Sequence, residues 1–225
     1  MILCVSVDGV DGAGKTTLID SLGEKYNVVT LPRFYCTGIV PQNRDERKCW
    51  FQTQDVLFTT KIYISGYKLR IFSAREFKRG LHYKFSTASA NNLVVMDRGF
   101  LSLKAYSFAM LRKTGNFSSE AADKKIAELS GGELEELAEE TIDLSILLFE
   151  DSRACLDKIL ARRVVDDNER RLVTYQHEYY SLHAKELNRS KILPLSPLTP
   201  PEKIFKTVVE KIEELEKCIG IATTC

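Results

Sequence analysis

Short apolar runs recur along the chain between longer segments of helical pattern. The five runs are residues 2–7, 28–31, 93–96, 144–149 and 192–195. They are rich in Val, Ile and Leu and do not alternate with polar residues, which is typical of strands buried on both faces of a parallel sheet. The intervals between runs are long enough for crossover helices. We therefore predict an α/β fold of three layers, a five-stranded parallel sheet flanked by helices.

The segments between and after these runs show the patterns of helices. The last one begins at Pro200-Pro201, a sequence typical of a helix N-terminus. Ser130-Gly131-Gly132 predicts a flexible break between a helix near 118–129 and an acidic helix near 133–140. The last helix is the most strongly amphipathic, and its apolar stripe consists of Ile204, Phe205, Val208, Val209, Ile212 and Leu215.

Composition narrows the class of protein. The 225 residues are 44% hydrophobic and 28% charged, which fits one globular domain over 1–225. The net charge of +1 gives no general attraction for a nucleic acid polymer or a membrane surface. The six cysteines form no CxxC pair, so neither zinc nor a disulfide framework is indicated. With no secretory signal or transmembrane span in the sequence, we expect a cytoplasmic protein.

The first apolar run leads directly into GVDGAGKT at 9–16, which satisfies the phosphate-loop pattern GxxxxGK(S/T). Such a loop turns its backbone N–H groups inward around a polyphosphate, and the next helix, predicted from about Lys15 to Lys25, offers its positive N-terminus to the same anion. Lys15 is expected to reach the β- and γ-phosphate oxygens, and the Thr16 hydroxyl to ligate Mg²⁺. The residues predicted to bind ATP are Gly9, Val10, Asp11, Gly12, Ala13, Gly14, Lys15, Thr16 and Thr17.

A second element follows the third apolar run, where Asp97-Arg98 comes directly after Leu93-Val94-Val95-Met96. An acid at the carboxyl end of a strand beside a phosphate loop is well placed to hold Mg²⁺ or its water. Arg98 adds a planar cation at the same edge, which is useful where two phosphates must approach each other. This pattern predicts a metal role for Asp97 and a catalytic role for Arg98.

The residues also bear on the acceptor of the phosphoryl group. A guanine-reading switch needs a DxxG after the third strand, and the segment after Asp97 has none. A kinase that acts on an alcohol uses a carboxylate to take the proton, whereas one that acts on a phosphomonoester uses cations. After the second run the chain offers Pro32-Arg33-Phe34-Tyr35, with no acid before Asp45. This composition favours a phosphate acceptor.

Four segments together resemble thymidylate kinase, in the nucleoside monophosphate kinase group of phosphate-loop folds. GVDGAGKTT is similar to that family's GxDGxGKTT loop, and Leu31-Pro32-Arg33-Phe34 to its FPRY-type segment. Asp97-Arg98 with Ser102 and Ala105-Tyr106 resembles DRYxxSxxAY, and residues 72–75 resemble its FxxxR helix segment, one residue shorter here.

The resemblance implies roles on the acceptor side. Arg33, Arg75 and Arg98 would surround the acceptor phosphate. Phe72 would stack on the base, and Tyr106 would pack beneath the deoxyribose, leaving little room for a 2′-hydroxyl.

Further implications concern the metal, the base and the assembly. Asp11 would lie between acceptor and Mg²⁺, and Ser102 belongs to the substrate-binding segment. Gly99 and Leu103 depart from the family's pattern and leave the base specificity open. Similar enzymes are homodimers, so a homodimer is expected.

A lid over the ATP phosphates is expected at about 162–171. This segment carries Arg162, Arg163, Arg170 and Arg171, whereas the phosphate loop has Gly12 and Ala13 where some family members have an Arg. The lid is therefore the available source of a cation for the migrating phosphoryl group, and Arg163 and Arg170 are the candidates.

The sequence thus predicts Mg·ATP-dependent phosphorylation of a deoxynucleoside monophosphate, with dTMP as first choice, ATP and Mg²⁺ as cofactors, and nucleotides as the small-molecule partners. Two alternatives stay open. One is a deoxynucleoside kinase of similar fold, which needs a carboxylate near the 5′-hydroxyl. The other is a nucleotide-binding regulatory protein without transfer activity.

Overall fold

A computed structural model gives the architecture of the chain. It describes residues 2–31, 33, 40–41, 43, 46, 49–50, 53–79, 92–114, 116–161, 166–185, 187 and 191–218, together with the backbone of 219–222.

The sheet has five parallel strands in the order β2-β3-β1-β4-β5. This arrangement confirms the predicted α/β class and parallel sheet. β1 lies at the centre, paired with β3 on one side and β4 on the other, so the loop that follows it opens between their carboxyl ends. The strands are β1 (Ile2–Gly9), β2 (Asn27–Leu31), β3 (Asn92–Asp97), β4 (Leu144–Leu148) and β5 (Ile192–Leu195).

Helices cover both faces of this sheet. The bounds of α1 agree with the residues predicted from sequence, and the last helix begins at Pro201, one residue into the proline pair. The main helices are α1 (Lys15–Lys25), α2 (Val56–Lys78), α3 (Phe100–Lys113), α4 (Ser119–Ser130), α5 (Gly132–Thr141), α6 (Arg153–Ala161), α7 (Asp167–Leu182) and α8 (Pro201–Ala222).

Alternate residues of β1 enter two hydrophobic cores. Leu3, Val5 and Val7 face the core formed with α1, α3, α7 and α8, whereas Cys4 faces the core formed with α2 and α5. Burying apolar side chains on both faces stabilises the central strand by roughly 25 cal/mol per Å² of apolar surface removed from water. The central strand is therefore a rigid base for the loop that leaves it.

Two details qualify the helix predictions. The apolar stripe of α8 is buried at its centre, where Ile204, Val208 and Ile212 lie in the core. The predicted break near Gly131 is a single residue with φ 67° that separates α4 from α5. Among the described residues, none of the helices is long and apolar enough to cross a membrane.

Candidate functional site

The phosphate loop joins the end of β1 to α1 through three left-handed glycines, Gly9, Gly12 and Gly14, with φ of 136°, 92° and 99°. Gly9 is constrained twice, because a Cβ there would also lie 2.4 Å from the carbonyl oxygen of Leu148. These conformations are costly for L side chains, so the glycines permit the turn that brings successive backbone amides to one side.

Lys15 begins α1 and is 5% exposed. Its Nζ donates to the carbonyl oxygens of Gly9 and Val10, both at 2.8 Å. Burial, and next the charge of Arg98, lower the pKa of Lys15 from 10.5 to about 7. A buried ammonium whose hydrogen bonds go to neutral carbonyl oxygens is poised to bind an anion, whose charge would raise that pKa again.

Asp11 is the contact point of the loop with three other elements. Its Oδ1 lies 2.6 Å from Nη1 of Arg98 and 3.9 Å from Nζ of Lys15. The hydroxyl of Tyr106, on α3, donates to its Oδ2. Gln176, a buried residue of α7, accepts from the Asp11 backbone N–H at 3.0 Å. Through Gln176, α7, whose first turn lies in the predicted lid segment, therefore contacts the phosphate loop directly.

The carboxyl end of β3 supplies two side chains to the same edge. The Oδ2 of Asp97 accepts from Nε of Arg33 at 2.7 Å. The guanidinium of Arg98, which is buried, lies 4.7 Å from the centre of the Tyr106 ring. The structure thus brings Arg33, Arg98, Asp11 and Tyr106, four of the predicted site residues, together at one edge of the sheet.

The backbone at Arg98 has an unusual conformation, with φ 73°. A left-handed conformation costs a non-glycine residue about 1–2 kcal/mol. The buried Arg70 of α2 donates to both carbonyl oxygens of this turn, through Nη1 to Arg98 at 2.8 Å and through Nη2 to Asp97 at 3.0 Å.

A buried carboxylate lies beneath the turn. Asp8, at the end of β1, accepts from the backbone N–H of Ser102 and from the hydroxyl of Ser6, each at 2.8 Å. Ser102 is the third residue of α3, so Asp8 satisfies an N-terminal N–H of that helix. Burial raises the pKa of Asp8, and its bonds to Ser102 and Ser6 oppose that rise.

The close approach of Ser6 and of the Asp8 carboxylate explains why residue 99 is a glycine. A Cβ at Gly99 would lie 2.5 Å from the Cβ of Ser6 and 2.7 Å from Oδ2 of Asp8. The departure from the Asp-Arg-Tyr pattern is therefore a packing requirement of this chain. Two further buried side chains pack nearby, Phe100 against Tyr67 with ring centres 5.6 Å apart, and Leu103 in the same core.

Three predicted substrate-binding residues are not part of this cluster of side chains. Phe72 is 52% exposed, and Arg75 pairs with Glu140 of α5 at 3.6 Å. Arg70 is the α2 residue that contacts the Asp97–Arg98 turn. Phe72 lies about 200° around the helix from Arg70, and Arg75 lies more than one helical turn further along α2. Ser102 is fully buried above Asp8.

The remaining loop and lid predictions fall into two groups. Thr16 and Thr17 are exposed in the first turn of α1, beside the loop. Arg170 is exposed in the first turn of α7, where the side chain of Asp166 caps the helix by accepting from the N–H of Glu169. Arg163, like Arg162, lies outside the described residues.

The donor set at this edge fits Mg²⁺. Asp97 has one buried carboxylate oxygen, Oδ1, with no hydrogen-bond partner among the described residues, and Thr16 is an exposed residue in the first turn of α1. Across the described part of the chain, no group of three or more His, Cys, Asp or Glu side chains could hold a metal ion. Mg²⁺ needs no such group, because it keeps several waters and shares phosphate oxygens.

Two cavities bear on where a nucleotide would lie. One, of about 210 Å³, adjoins the loop and is lined by Ala13, Thr17, Pro197 and Thr199 among others. The other, of about 910 Å³, lies between α5 and the amino ends of β4 and β5, and its charged lining is four glutamates and Lys191. A predominantly acidic lining disfavours phosphate, so the smaller cavity is the better candidate for the donor nucleotide.

Sequence reasoning missed Arg70, Asp8 and Gln176. Arg70 had a usable signal, because it interrupts an apolar stripe of α2 that includes Tyr63, Tyr67 and Ala74. A charged residue within a stripe that faces the core must find partners there.

Comparisons with known proteins bear on the fold. No family model matches the chain, and no curated protein matches it. Among solved structures, the chain is similar to deoxyadenosine kinase from M. mycoides, solved with bound dATP. The TM-score is 0.56 and the identity 13%, over 94% of this chain and 100% of that chain. The fold of this protein is therefore similar to the fold of that kinase.

Proposed function

We propose that the protein is a phosphotransferase that uses Mg·ATP to phosphorylate a deoxynucleoside monophosphate, with dTMP as the preferred acceptor. The observation that carries this proposal is the pair of arginines at the edge facing the phosphate loop. Arg33 and Arg98 come from different elements, and each is held by a carboxylate, Asp97 or Asp11. An anionic acceptor needs such cations and no general base.

Each half of the site has a distinct task in this reaction. On the donor side, the loop amides and Lys15 bind the β- and γ-phosphates, and the 210 Å³ cavity receives the base. On the acceptor side, Arg98 and Arg33 exchange their carboxylate partners for phosphate oxygens and align the acceptor. Thr16 and Asp97 would hold Mg²⁺, which supplies charge neutralisation at the phosphates when bound. The first turn of α7 supplies Arg170 to the lid.

A deoxynucleoside acceptor is the second candidate function. It is favoured by the similarity to a deoxyadenosine kinase and by the Asp11 carboxylate, which lies at the acceptor edge. Its weakness is that Asp11 already pairs with Arg98 at 2.6 Å and accepts from the Tyr106 hydroxyl, so both of its oxygens are engaged where a proton would have to be taken up.

One assay separates the candidates. ADP release is measured with ATP and Mg²⁺ against dTMP, dUMP, dCMP, dGMP, dAMP, UMP, thymidine and deoxyadenosine, with Lys15→Met as the control for contaminating kinases. We expect turnover on dTMP and none on either nucleoside. Turnover on a nucleoside but on no monophosphate would establish the second candidate. Turnover on none would leave a nucleotide-binding protein without transfer activity.

We also propose that the protein forms a homodimer through one face of α2. Phe58, Leu69 and Phe72 are 47%, 64% and 52% exposed, and their spacing places them on one side of the helix with Ser65 between them. An antiparallel pairing centred on Ser65 would set Phe58 against the partner's Phe72, and the small Ser65 would permit close approach.

The test of the dimer is light scattering coupled to size-exclusion chromatography. We expect Phe72→Asp to be monomeric at concentrations where the wild type is dimeric. Leu182→Asp is the matched control, since Leu182 is 58% exposed on α7, away from this face. A wild-type monomer, or a Phe72→Asp dimer, would contradict the proposal.

A further inference from the structure

The turn between β3 and α3 carries a conformation that its sequence does not favour. Among the described residues, Arg98 is the one non-glycine residue with a positive φ. A single L residue stays in the left-handed region only where neighbouring groups hold it there. The next residue, Gly99, is extended with φ −80°. The left-handed position is therefore occupied by Arg98, although a glycine is its immediate neighbour.

Three hydrogen bonds to backbone groups hold this turn. The N–H of Arg98 donates to the carbonyl oxygen of Val7 at 3.0 Å, which ties the turn to β1. The other two come from Arg70, whose two terminal nitrogens donate to the successive carbonyl oxygens of Asp97 and Arg98. A planar guanidinium can donate along two parallel directions at once, which a lysine ammonium at the same place cannot do with the same geometry.

We propose that Arg70 is a positioning residue for the acceptor phosphate. Its guanidinium holds the Asp97–Arg98 turn in the left-handed conformation, and that conformation directs the Arg98 side chain to the acceptor edge, against Asp11 and over Tyr106. Arg70 acts through the backbone of Arg98. This inference rests on the proposed function for the identity of the acceptor, but its structural part does not depend on it.

Burial makes this arrangement specific. Arg70 is 5% exposed, on the face of α2 that packs into the core. A buried charge is tolerated only with good hydrogen-bond partners, and β3 ends at Asp97, so the carbonyls of the turn are available for that purpose. Arg70 and the turn therefore stabilise each other, and removing the guanidinium takes two bonds from the strained turn.

The kinetic test compares Arg70→Lys and Arg70→Met with matched changes at Arg112. Arg112, on α3, also donates to a backbone carbonyl oxygen, that of Phe117 at 2.9 Å, and it has a carboxylate partner away from the acceptor edge. Losing alignment of a single phosphate-binding group costs on the order of tenfold or more, so we expect both Arg70 variants to raise the KM for the acceptor about tenfold. The KM for ATP should change less than about twofold, because the loop binds ATP. Arg112→Lys and Arg112→Met should leave the acceptor KM unchanged.

A second measurement reads the turn without any reaction. Hydrogen exchange of the Arg98 amide should accelerate in both Arg70 variants, and should not change in Arg112→Lys or Arg112→Met. If Arg70→Met does not fold, Arg70→Lys carries both measurements. Wild-type exchange at Arg98 in the Arg70 variants would overturn the inference, as would a wild-type acceptor KM. If the wild type phosphorylates no acceptor, the proposed function fails, and the exchange measurement still decides whether Arg70 holds the turn.

Discussion

The donor and acceptor sides of the site are built in different ways. On the donor side, consecutive residues from Gly9 to Thr16 form one loop, and three left-handed glycines set its shape. On the acceptor side, the side chains come from three regions far apart in sequence: Arg33 follows β2, Arg70 belongs to α2, and Arg98 follows β3. A loop made of backbone is encoded by its own residues, whereas a cluster of side chains is encoded by the packing that brings the elements together.

The largest expected effect tests the donor side. Lys15→Met removes the cation that lies beneath the loop and should lower kcat by about 10³, the upper end of the range for losing one electrostatic donor. The measurement is the ADP-release assay with the best acceptor. Lys25→Met, at the other end of α1, is the control, because its partner is the exposed Glu213. A loss of less than about tenfold would mean that the loop amides suffice without Lys15.

The next effect tests the acceptor side. Arg98→Ala should lower kcat by at least about 10², because Arg98 contacts the acceptor but not the ATP phosphates in the proposed reaction. The KM for ATP should therefore stay near its wild-type value. A variant that binds ATP poorly but keeps its kcat would assign Arg98 to the donor side and remove the distinction between the two halves. Near-normal kinetics would remove Arg98 from the mechanism.

Because the donor side is encoded by one local segment and the acceptor side by packing, the donor side is the easier one to predict from sequence. The parallel sheet and the position of the phosphate loop follow from local pattern, and the apolar runs predicted all five described strands. The α2 residues are harder to predict, because the FxxxR segment that suggests Phe72 and Arg75 is one residue shorter in this chain. One residue turns a helix by about 100°, and the helix face that meets Arg98 carries Arg70 instead.

Asp8 and Gln176 illustrate a second limit. Each is a single polar residue of a strand or a helix, and each matters because of a partner distant in sequence. The partner of Asp8 is Ser102, and the partner of Gln176 is Asp11. No periodicity or spacing marks such a pair. The tertiary contact defines it, and only a structure supplies that contact.

A stability measurement tests the packing around Gly99 on the acceptor side. Gly99→Ala would force a Cβ to within 2.5 Å of Ser6 and close to Asp8, so we expect a loss of about 1–3 kcal/mol in the free energy of unfolding, the usual cost of overpacking. Gly23→Ala is the matched control. Gly23 lies inside α1 with open space around it, so alanine there should stabilise by about 0.5–1 kcal/mol. Denaturant titration of both variants measures the difference, and a neutral Gly99→Ala would show that Gly99 is not a packing requirement.

The smallest expected effect concerns pH and returns to Lys15. In the unliganded protein its pKa is about 7, lowered by burial and by Arg98, and a bound triphosphate would raise it. ATP binding should then take up a proton above pH 7. With that pKa, the protonated fraction falls from about a half at pH 7 to about a tenth at pH 8, so the Kd for Mg·ATP should rise about fivefold over that interval.

Calorimetry of ATP binding in buffers of different ionisation enthalpy measures the proton directly. Lys15→Met should abolish the uptake. The unliganded wild type should gain stability as pH rises from about 7 towards 10.5, because the unfolded chain binds that proton more tightly than the folded one. Because Arg98 contributes to the lowered pKa, Arg98→Ala should raise the pKa of Lys15 and shift the uptake to higher pH. A shift in that variant would show that the donor and acceptor sides are coupled by charge, although they are built differently. No shift would mean that burial alone lowers the pKa of Lys15.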